Sequence, residues 1–437
     1  MTALAVRARE RSQDPRVDGV LERLLRLYPR AIDLDMGRLR DLLGKLGNPE
    51  RRLAPVLHVA GTNGKGSTCA FARAIAEAAG LRAQVYTSPH LVDFNERIRL
   101  TGGLVDHERL AETLEDVERA NAGAPITVFE VITAAAFLLF AADPADLCIL
   151  EVGLGGRGDA TNVIARPAVC AITAISIDHR EFLGDSLRGI AAEKAGIIKP
   201  GVPVVTGAQA PEVLEVIAQK AAAMGAALSA RDRDWTIAPS ADGLRFANAA
   251  GGLSLPWPSL AGPHQYDNAG IAVAALRASG LAIPDGAFAQ GLAQAEWPGR
   301  MQRLGGSLAT LLPRGWELWL DGAHNPGAGL ALAEHLKGWR DKPLHLVVGM
   351  KQGKDAAEFL KPLLPFAASV WAVAEPDQHL ALSVPEVVAA SGGVARAGGT
   401  VAQALRKLAA APGATEGEAR VLVCGSLYLA GALLRRN

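Results

Sequence analysis

Lys65 lies in the run His58-Val59-Ala60-Gly61-Thr62-Asn63-Gly64-Lys65-Gly66-Ser67-Thr68, where an apolar segment gives way to glycines and then to helical periodicity. Backbone N–H groups reach phosphate oxygens only where side chains are absent. Gly61, Gly64 and Gly66 meet that need, and Lys65 adds a positive charge for terminal phosphates. Residues 68–79 continue as a helix with Phe71, Ile75 and Ala79 on one face, and Gly80 stands where a helix C-terminal glycine belongs. The strict P-loop pattern is broken twice: Val59 takes the first glycine position, and Gly66 follows the lysine in place of Ser or Thr. A glycine-rich turn with no ligand is the plain alternative for this segment taken alone.

Other polar residues close apolar runs in the same manner. The run from Asp146 ends on Glu151 and then on glycines through Gly156, as a magnesium-binding acid beside a phosphate site should, although a carboxylate there could equally cap the next turn. Ile172 to Ile177 leads to Asp178-His179, which alone reads as a turn pair. Ser88, before Pro89, reads alone as a Ser-Pro turn, and in Asp321-Gly322-Ala323-His324-Asn325-Pro326 the proline suits a helix start. Taken singly each is weak. With the phosphate cradle these four make five such loops, and together they point to a shared catalytic site.

These loops need a scaffold that aligns strand ends. β-rich apolar runs at 55–60, 83–87, 146–152, 168–177 and 203–206 alternate with helical periods, the pattern of a mostly parallel α/β sheet of P-loop type. Residues 226–256, with short runs and paired glycines, predict a small antiparallel appendage, and helices return over 264–294. After Trp297-Pro298-Gly299-Arg300 a second alternation begins, with strands near 317–321, 344–349, 369–374 and 420–424, predicting a smaller Rossmann-like α/β domain. The domains are expected at 1–295 and 296–437. Clefts in such proteins favour domain interfaces and the carboxyl ends of parallel strands.

Composition narrows the class. A chain of 437 residues exceeds what one core usually holds, and 49% apolar against 21% charged residues is an ordinary globular balance. Lys plus Arg equals Asp plus Glu at 45 each, so no overall positive field draws nucleic acid or anionic membrane, and any anion must be bound locally. Cys69, Cys148, Cys170 and Cys424 form no CxxC pair and sit in apolar surroundings, as buried reduced thiols do. The longest apolar run, Val131 to Ala142, is too short to span a bilayer, and the N-terminus has no apolar signal region. A soluble, cytoplasmic and monomeric protein is expected.

The blocks Val59 to Ser67, Thr87 to Leu91 with Glu96-Arg97-Ile98, Phe129-Glu130, Glu151 to Arg157, Asp159 to Asn162, Glu193 to Ile197 and Asp321 to Pro326 together carry a resemblance. The chain is similar to folylpolyglutamate synthase and dihydrofolate synthase, the folate branch of the Mur ligase superfamily, through nearly its whole length. The resemblance implies an ATP-dependent ligase in which Thr62, Asn63, Gly64, Lys65, Gly66 and Ser67 hold the ATP phosphates. It implies that Asn268, brought in by the helix that His264-Gln265 opens, completes the nucleotide site with Arg300 and Asp321 of the second domain. Ser88, Glu151 and His179 would bind magnesium. The pterin-bearing substrate would use Ile32, Asp33, Leu34 and Asp35, then Thr127, Val128, Phe129 and Glu130, then Gly158, Asp159 and Ala160. Gly158 departs from the leucine that the family commonly carries before the aspartate, which bears on the pocket's fine shape.

Lys194 reads from sequence alone as a solvated helix lysine beside Glu193. In the superfamily the corresponding lysine is carbamylated, which turns a cation into a carboxylate able to hold a second magnesium ion, and requires a neutral amine. A monovalent cation is a further cofactor that the resemblance admits. The implied chemistry makes an amide in water: ATP converts the carboxylate of dihydropteroate or folate to an acyl phosphate, and the amine of L-glutamate displaces phosphate. Lys65 and magnesium would offset charge on the phosphoryl group, Arg300 would approach the phosphates, and His324 would contact the acyl phosphate or orient the amine. Bifunctionality is expected because the Ile32 to Asp35 loop resembles the dihydropteroate-binding element of bifunctional members; a monofunctional folylpolyglutamate synthase is the alternative. A Mur peptidoglycan ligase is disfavoured because little chain precedes the phosphate loop, and a non-enzymatic P-loop switch because it would lack the set around 151–194.

Overall fold

The computed structural model describes residues 12–28, 33–411 and 417–437. The chain forms two compact units: residues 1–175, 180–259 and 265–296 make the first, and 176–179, 260–264 and 297–437 the second. Each is a mixed α/β structure built on its own sheet.

The first unit carries β1 (Val56–Ala60), β2 (Ala83–Tyr86), β3 (Ile98–Leu100), β4 (Gly103–Leu104), β5 (Leu147–Glu151), β6 (Val169–Ile172), β7 (Val204–Thr206) and β8 (Leu228–Ala230). They form one sheet in the order β4-β3-β2-β5-β1-β6-β7-β8, with β2, β5, β1, β6, β7 and β8 parallel and β3–β4 an antiparallel edge. β1 is central because it is buried at all five positions, Val56 to Ala60, which only a strand covered on both faces can sustain. The Val128–Ala142 helix is apolar nearly all round for the same reason: it lies in the core with Val131, Ile132, Phe137 and Phe140 packed against Val17, Leu21, Leu39 and Tyr86. A separate antiparallel sheet, β9 (Trp235–Ser240), β10 (Gly243–Asn248) and β11 (Gly251–Leu255), is the appendage.

Two boundaries differ from the sequence reading. The strand expected over 168–177 stops at Ile172, because the next residues turn toward the phosphate loop: Ala174 O accepts from the amides of Thr62 and Asn63. The appendage expected from residue 226 starts later, since Leu228–Ala230 pairs in parallel with β7 and extends the main sheet. A three-residue strand gives too little periodicity to reveal which sheet it joins. β3 and β4 were too short to read at all.

The second unit holds β12 (Gln302–Leu304), β13 (Glu317–Leu320), β14 (Leu344–Val348), β15 (Ser369–Val373), β16 (Arg396–Gly399) and β17 (Arg420–Cys424) in the order β12-β13-β17-β14-β15-β16, parallel except for β12. Alternation along the strands serves two cores. Leu344, Leu346, Val348, Leu422 and Cys424 line one face, and Val347, Val421, Val423 and Val373 the other. All four cysteines are free and buried. Among the described residues no helix is long and apolar enough to cross a membrane.

Candidate active site

In the first unit the carboxyl ends of adjacent strands β2, β5, β1 and β6 gather the polar residues. The phosphate loop leaves β1 and enters the Lys65–Ala78 helix, which begins at the lysine itself, three residues before the periodicity signalled it. Gly61 and Gly64 adopt φ of +150° and +90°, and the space beside them is closed: a Cβ at 61 would lie 1.8 Å from Thr173 Oγ1, and one at 64 would lie 2.1 Å from Asn268 Oδ1. Both conformation and packing therefore demand glycine. Because Thr62 and Asn63 give their amides to Ala174 O, at 2.9 and 3.2 Å, the loop is already fixed. The first-turn amides of the helix, at Lys65, Gly66 and Ser67, have no intrahelical acceptor, and Gly64 has no side chain to cap them, so this helix end leaves donors open to an anion.

Lys65 Nζ lies 3.3 Å from Thr62 O and 3.9 Å from Glu151 Oε1. Glu151, 5% exposed as the last residue of β5, also accepts the Ser88 amide at 3.2 Å. Asn268 is buried on the His264–Ala278 helix and donates from Nδ2 to Gln265 Oε1 at 2.9 Å, so its oxygen faces Gly64. Lys194 corrects the sequence reading of a solvated side chain: it is 5% exposed, and its Nζ donates to Gly61 O at 2.8 Å. The correction has a long-range cause. The Leu187–Lys194 helix ends against the Glu151 to Gly156 loop, where a Cβ on Gly156 would stand 2.6 Å from Glu193 O.

The segments assigned to the ring-bearing substrate also converge in this unit. Ile32 lies outside the described residues. Arg38 reaches Asp33 at 3.2 Å, Asp35 at 3.6 Å and Glu130 at 3.3 Å. Thr127 and Glu130 form a capping box at the start of the Val128–Ala142 helix, and half-buried Phe129 packs over Gly153 and 6.1 Å from the Tyr86 ring. Gly158 abuts Leu34, and Ala160 is buried. Asp159 is occupied within the protein: its carboxylate accepts from the amides of Gly153, Leu154 and Thr161 and from the Thr161 hydroxyl, at 2.6–3.0 Å. Burial raises its pKa, and those four donors oppose the rise. It shapes the loop leaving Glu151.

In the second unit Asp321 accepts the amides of Met301 and Ala323 at 2.8 and 2.7 Å; burial raises its carboxyl, and the nearby Arg300 guanidinium counteracts this. Arg300 lies across Gly322 and donates to Gly299 O at 3.0 Å. His324 Nδ1 stands 2.8 Å from Gly322 O, which can only accept, so Nδ1 carries the proton and Nε2 keeps its lone pair. Burial, then Lys354, push His324 down to about 4, so the ring is neutral near pH 7. His179, with φ of +52°, follows Asp178, and its Nε2 lies 3.9 Å from Asp178 Oδ2. Sequence reasoning missed Lys354. It pairs with Asp178 at 2.5 Å, while Asn325 donates to the other oxygen at 2.9 Å. Burial, the largest single influence, would raise the Asp178 carboxyl, but Lys354, His179 and His324 together outweigh it and hold the group well below the usual carboxylate range. The signal was available: Lys354 sits in the polar, glycine-containing loop after β14, as the other site residues follow their strands.

The family model described as Mur ligase middle domain matches residues 59–276, and that described as dihydrofolate synthetase, C-terminal domain, matches residues 307–436. The dihydrofolate synthase/folylpolyglutamate synthase of Escherichia coli strain K12 is 36% identical over 411 residues, covering 93% of this chain and 92% of its own. The chain belongs to the dihydrofolate synthase/folylpolyglutamate synthase family. Solved members of the family have the same fold. The Escherichia coli FolC structure in complex with DHPP and ADP superposes with a TM-score of 0.86 at 33% identity over 97% of both chains. A bifunctional folylpolyglutamate synthase/dihydrofolate synthase with Mn, AMPPNP and L-glutamate bound superposes with a TM-score of 0.82 at 33% identity, over 97% of this chain and 98% of that one. As a member of the dihydrofolate synthase/folylpolyglutamate synthase family, the chain is an ATP-dependent ligase of folate metabolism that attaches glutamate.

Proposed function

We propose that this ligase is bifunctional, joining L-glutamate both to dihydropteroate and to reduced folates, through an acyl phosphate formed from MgATP. The observation that carries the reading is one loop. It leaves Glu151 beside Lys65 and, within eight residues, places Gly153 against Phe129 and Gly158 against Leu34, so phosphate chemistry and the wall for a ring-bearing acceptor share a single backbone segment. The relatives support it in kind: a solved neighbour holds DHPP with ADP, and another holds L-glutamate with a nucleotide analogue and Mn.

The residues fit a magnesium ion. Such an ion takes one or two carboxylates and fills its octahedron with water and phosphate oxygens. Among the described residues no group of three or more His, Cys, Asp or Glu gathers into an all-protein cage. Glu151 and Ser88 beside the phosphate loop are the sparse donor set expected, and we assign His179 with them. Magnesium, when bound, offsets negative charge on the transferring phosphoryl group. We further assign a carbamate to Lys194 and a second magnesium ion to it.

Lys65 and the first-turn amides at Gly66 and Ser67 hold the γ-phosphoryl while an acceptor carboxylate oxygen attacks phosphorus and ADP leaves. The amine of glutamate then attacks the acyl carbon, loses a proton, and phosphate departs from the tetrahedral intermediate. Asn268, Arg300 and Asp321 are assigned to the nucleotide. His324, neutral with its Nε2 lone pair available, is suited to accept a hydrogen bond from the amine and orient it; a pKa of about 4 makes it a poor store for the proton. Phe129, half-buried at a helix start, offers a face for the acceptor ring.

Two outcomes are expected. The purified chain with dihydropteroate, L-glutamate and MgATP yields dihydrofolate, ADP and phosphate, and with tetrahydrofolate it yields the product one glutamate longer; formation of the second product alone makes the chain monofunctional. In magnesium titrations of ADP release, Glu151→Gln and His179→Ala each raise the half-saturating magnesium concentration and lower turnover by about tenfold or more, as loss of a direct metal ligand does. Titration curves that superpose on wild type in both variants would remove these residues from the metal site.

A further inference from the structure

Gly158 is a glycine for lack of space and not for conformation. Its φ lies outside the left-handed region, yet a Cβ there would stand 2.6 Å from Leu34 O, 2.8 Å from Leu34 Cβ and 3.1 Å from Leu34 C. Two of those three atoms belong to the backbone, so no rotamer change relieves the clash, and the 33–35 segment has to move out if residue 158 gains a side chain. The partner side of residue 158 is equally closed. Asp159, next in sequence, is locked by four hydrogen bonds to Gly153, Leu154 and Thr161, so the 153–160 loop cannot yield.

What holds the Leu34 segment inward is Arg38. Its guanidinium pairs with Asp33 at 3.2 Å and with Glu130 at 3.3 Å and stacks 4.7 Å over the Tyr28 ring, while the Tyr28 hydroxyl donates to Asp33 at 2.5 Å. Glu130 is itself 3% exposed and tied to the Thr127 amide at 2.7 Å, at the helix start that carries Phe129. A planar guanidinium bridging two carboxylates fixes distance as well as charge. The Leu34 segment is thus clamped between a glycine that admits it and an arginine that draws it to the Phe129 helix.

We propose that Gly158 and Arg38 are positioning residues that together set how close the Leu34 backbone stands to Phe129, and so set the width of the slot that takes the acceptor's ring system. The inference rests on the acceptor reading of these segments given above, and assigns the slot's width to Gly158, acting through its contact with Leu34, and to Arg38, which lies outside the acceptor segments. An acceptor with no glutamate tail draws a larger share of its binding from ring contacts. Widening the slot therefore penalises dihydropteroate more than a polyglutamylated folate.

The test is steady-state kinetics on the full chain with dihydropteroate and with a tetrahydrofolate triglutamate, for Gly158→Ala, Gly158→Leu, Arg38→Met and the Gly158→Leu/Arg38→Met pair. Misplacement of a binding wall by an ångström costs up to about 100-fold, so Gly158→Leu and Arg38→Met are each expected to raise the KM for dihydropteroate about tenfold or more, with a smaller rise for the triglutamate and an ATP KM within about twofold of wild type. Gly158→Ala should fall between wild type and Gly158→Leu. The pair should be non-additive, because once one change has released the segment the other has nothing left to release. Arg38→Lys should not restore Arg38, since an ammonium cannot span both carboxylates. An unchanged dihydropteroate KM in Gly158→Leu and Arg38→Met overturns the proposal, and so does a parallel rise in every KM with a fall in melting temperature, which marks general damage. A wild-type chain that uses neither acceptor overturns the acceptor reading itself, and that control is run first.

Discussion

Lys65→Ala loses ATP-dependent ligation by about 1,000-fold or more in kcat/KM, a transition-state deficit of ~4 kcal/mol, while the fold survives. The size follows from where the charge sits. Lys65 is the cation of the phosphate loop, 3.9 Å from Glu151, at a helix end whose amides at Gly66 and Ser67 are already aimed outward. Fixed donors of this kind stabilise charge that grows as the phosphoryl group transfers, and they need no reorganisation to do so. The structural loss is small because Lys65 makes only a long hydrogen bond to Thr62 O, at 3.3 Å, and a loose ion pair with Glu151, at 3.9 Å, and none of the apolar core depends on it. The stability change is expected within about 1 kcal/mol. A coupled ADP-release assay beside a thermal melt checks both halves. Turnover within tenfold of wild type in a folded Lys65→Ala protein rules out the phosphate-cradle reading.

Lys194→Ala is expected to lose about 100-fold or more in turnover, and acetate at high concentration to restore part of it. Lys194 is buried, on a helix end, with Nζ 2.8 Å from Gly61 O of the phosphate loop. A bare ammonium there would add a second cation to the loop that Lys65 serves and would oppose metal binding. Carbamylation joins the neutral amine to carbon dioxide with release of a proton. The nitrogen would keep one N–H, so the bond to Gly61 O would survive, and the new carboxylate would supply a metal ligand that Glu151 alone cannot. Acetate added to Lys194→Ala fills the position of that carboxylate. Lys194→Arg should be no better than Lys194→Ala, because guanidinium holds its charge and is not carbamylated. Wild-type activity in Lys194→Arg, or a bare amine in a high-resolution density map of the nucleotide complex, sinks the carbamate.

Element types were legible in the sequence because they depend on local pattern. The five-residue buried run at Val56–Ala60, the helical period after Lys65 and the alternations at 344–348 and 420–424 each need only their own side chains to declare burial on two faces or one. Gly61 and Gly64 were legible too, since a turn tight enough to bring backbone to a phosphate excludes Cβ whatever surrounds it. Partners were not. Nothing near Gly64 announces that Asn268 fills the space beside it, nor does anything near Asp178 announce that Lys354 pairs with it, 176 positions away. Lys194 shows the same division. The sequence by itself determined that a lysine stands beside Glu193 on a helix, and that arrangement is solvated in most proteins. Only the tertiary structure decided that this helix ends against the Gly156 loop and delivers the amine to Gly61 O, because the contact joins segments more than a hundred residues apart and depends on Gly156 leaving room for the end of the helix.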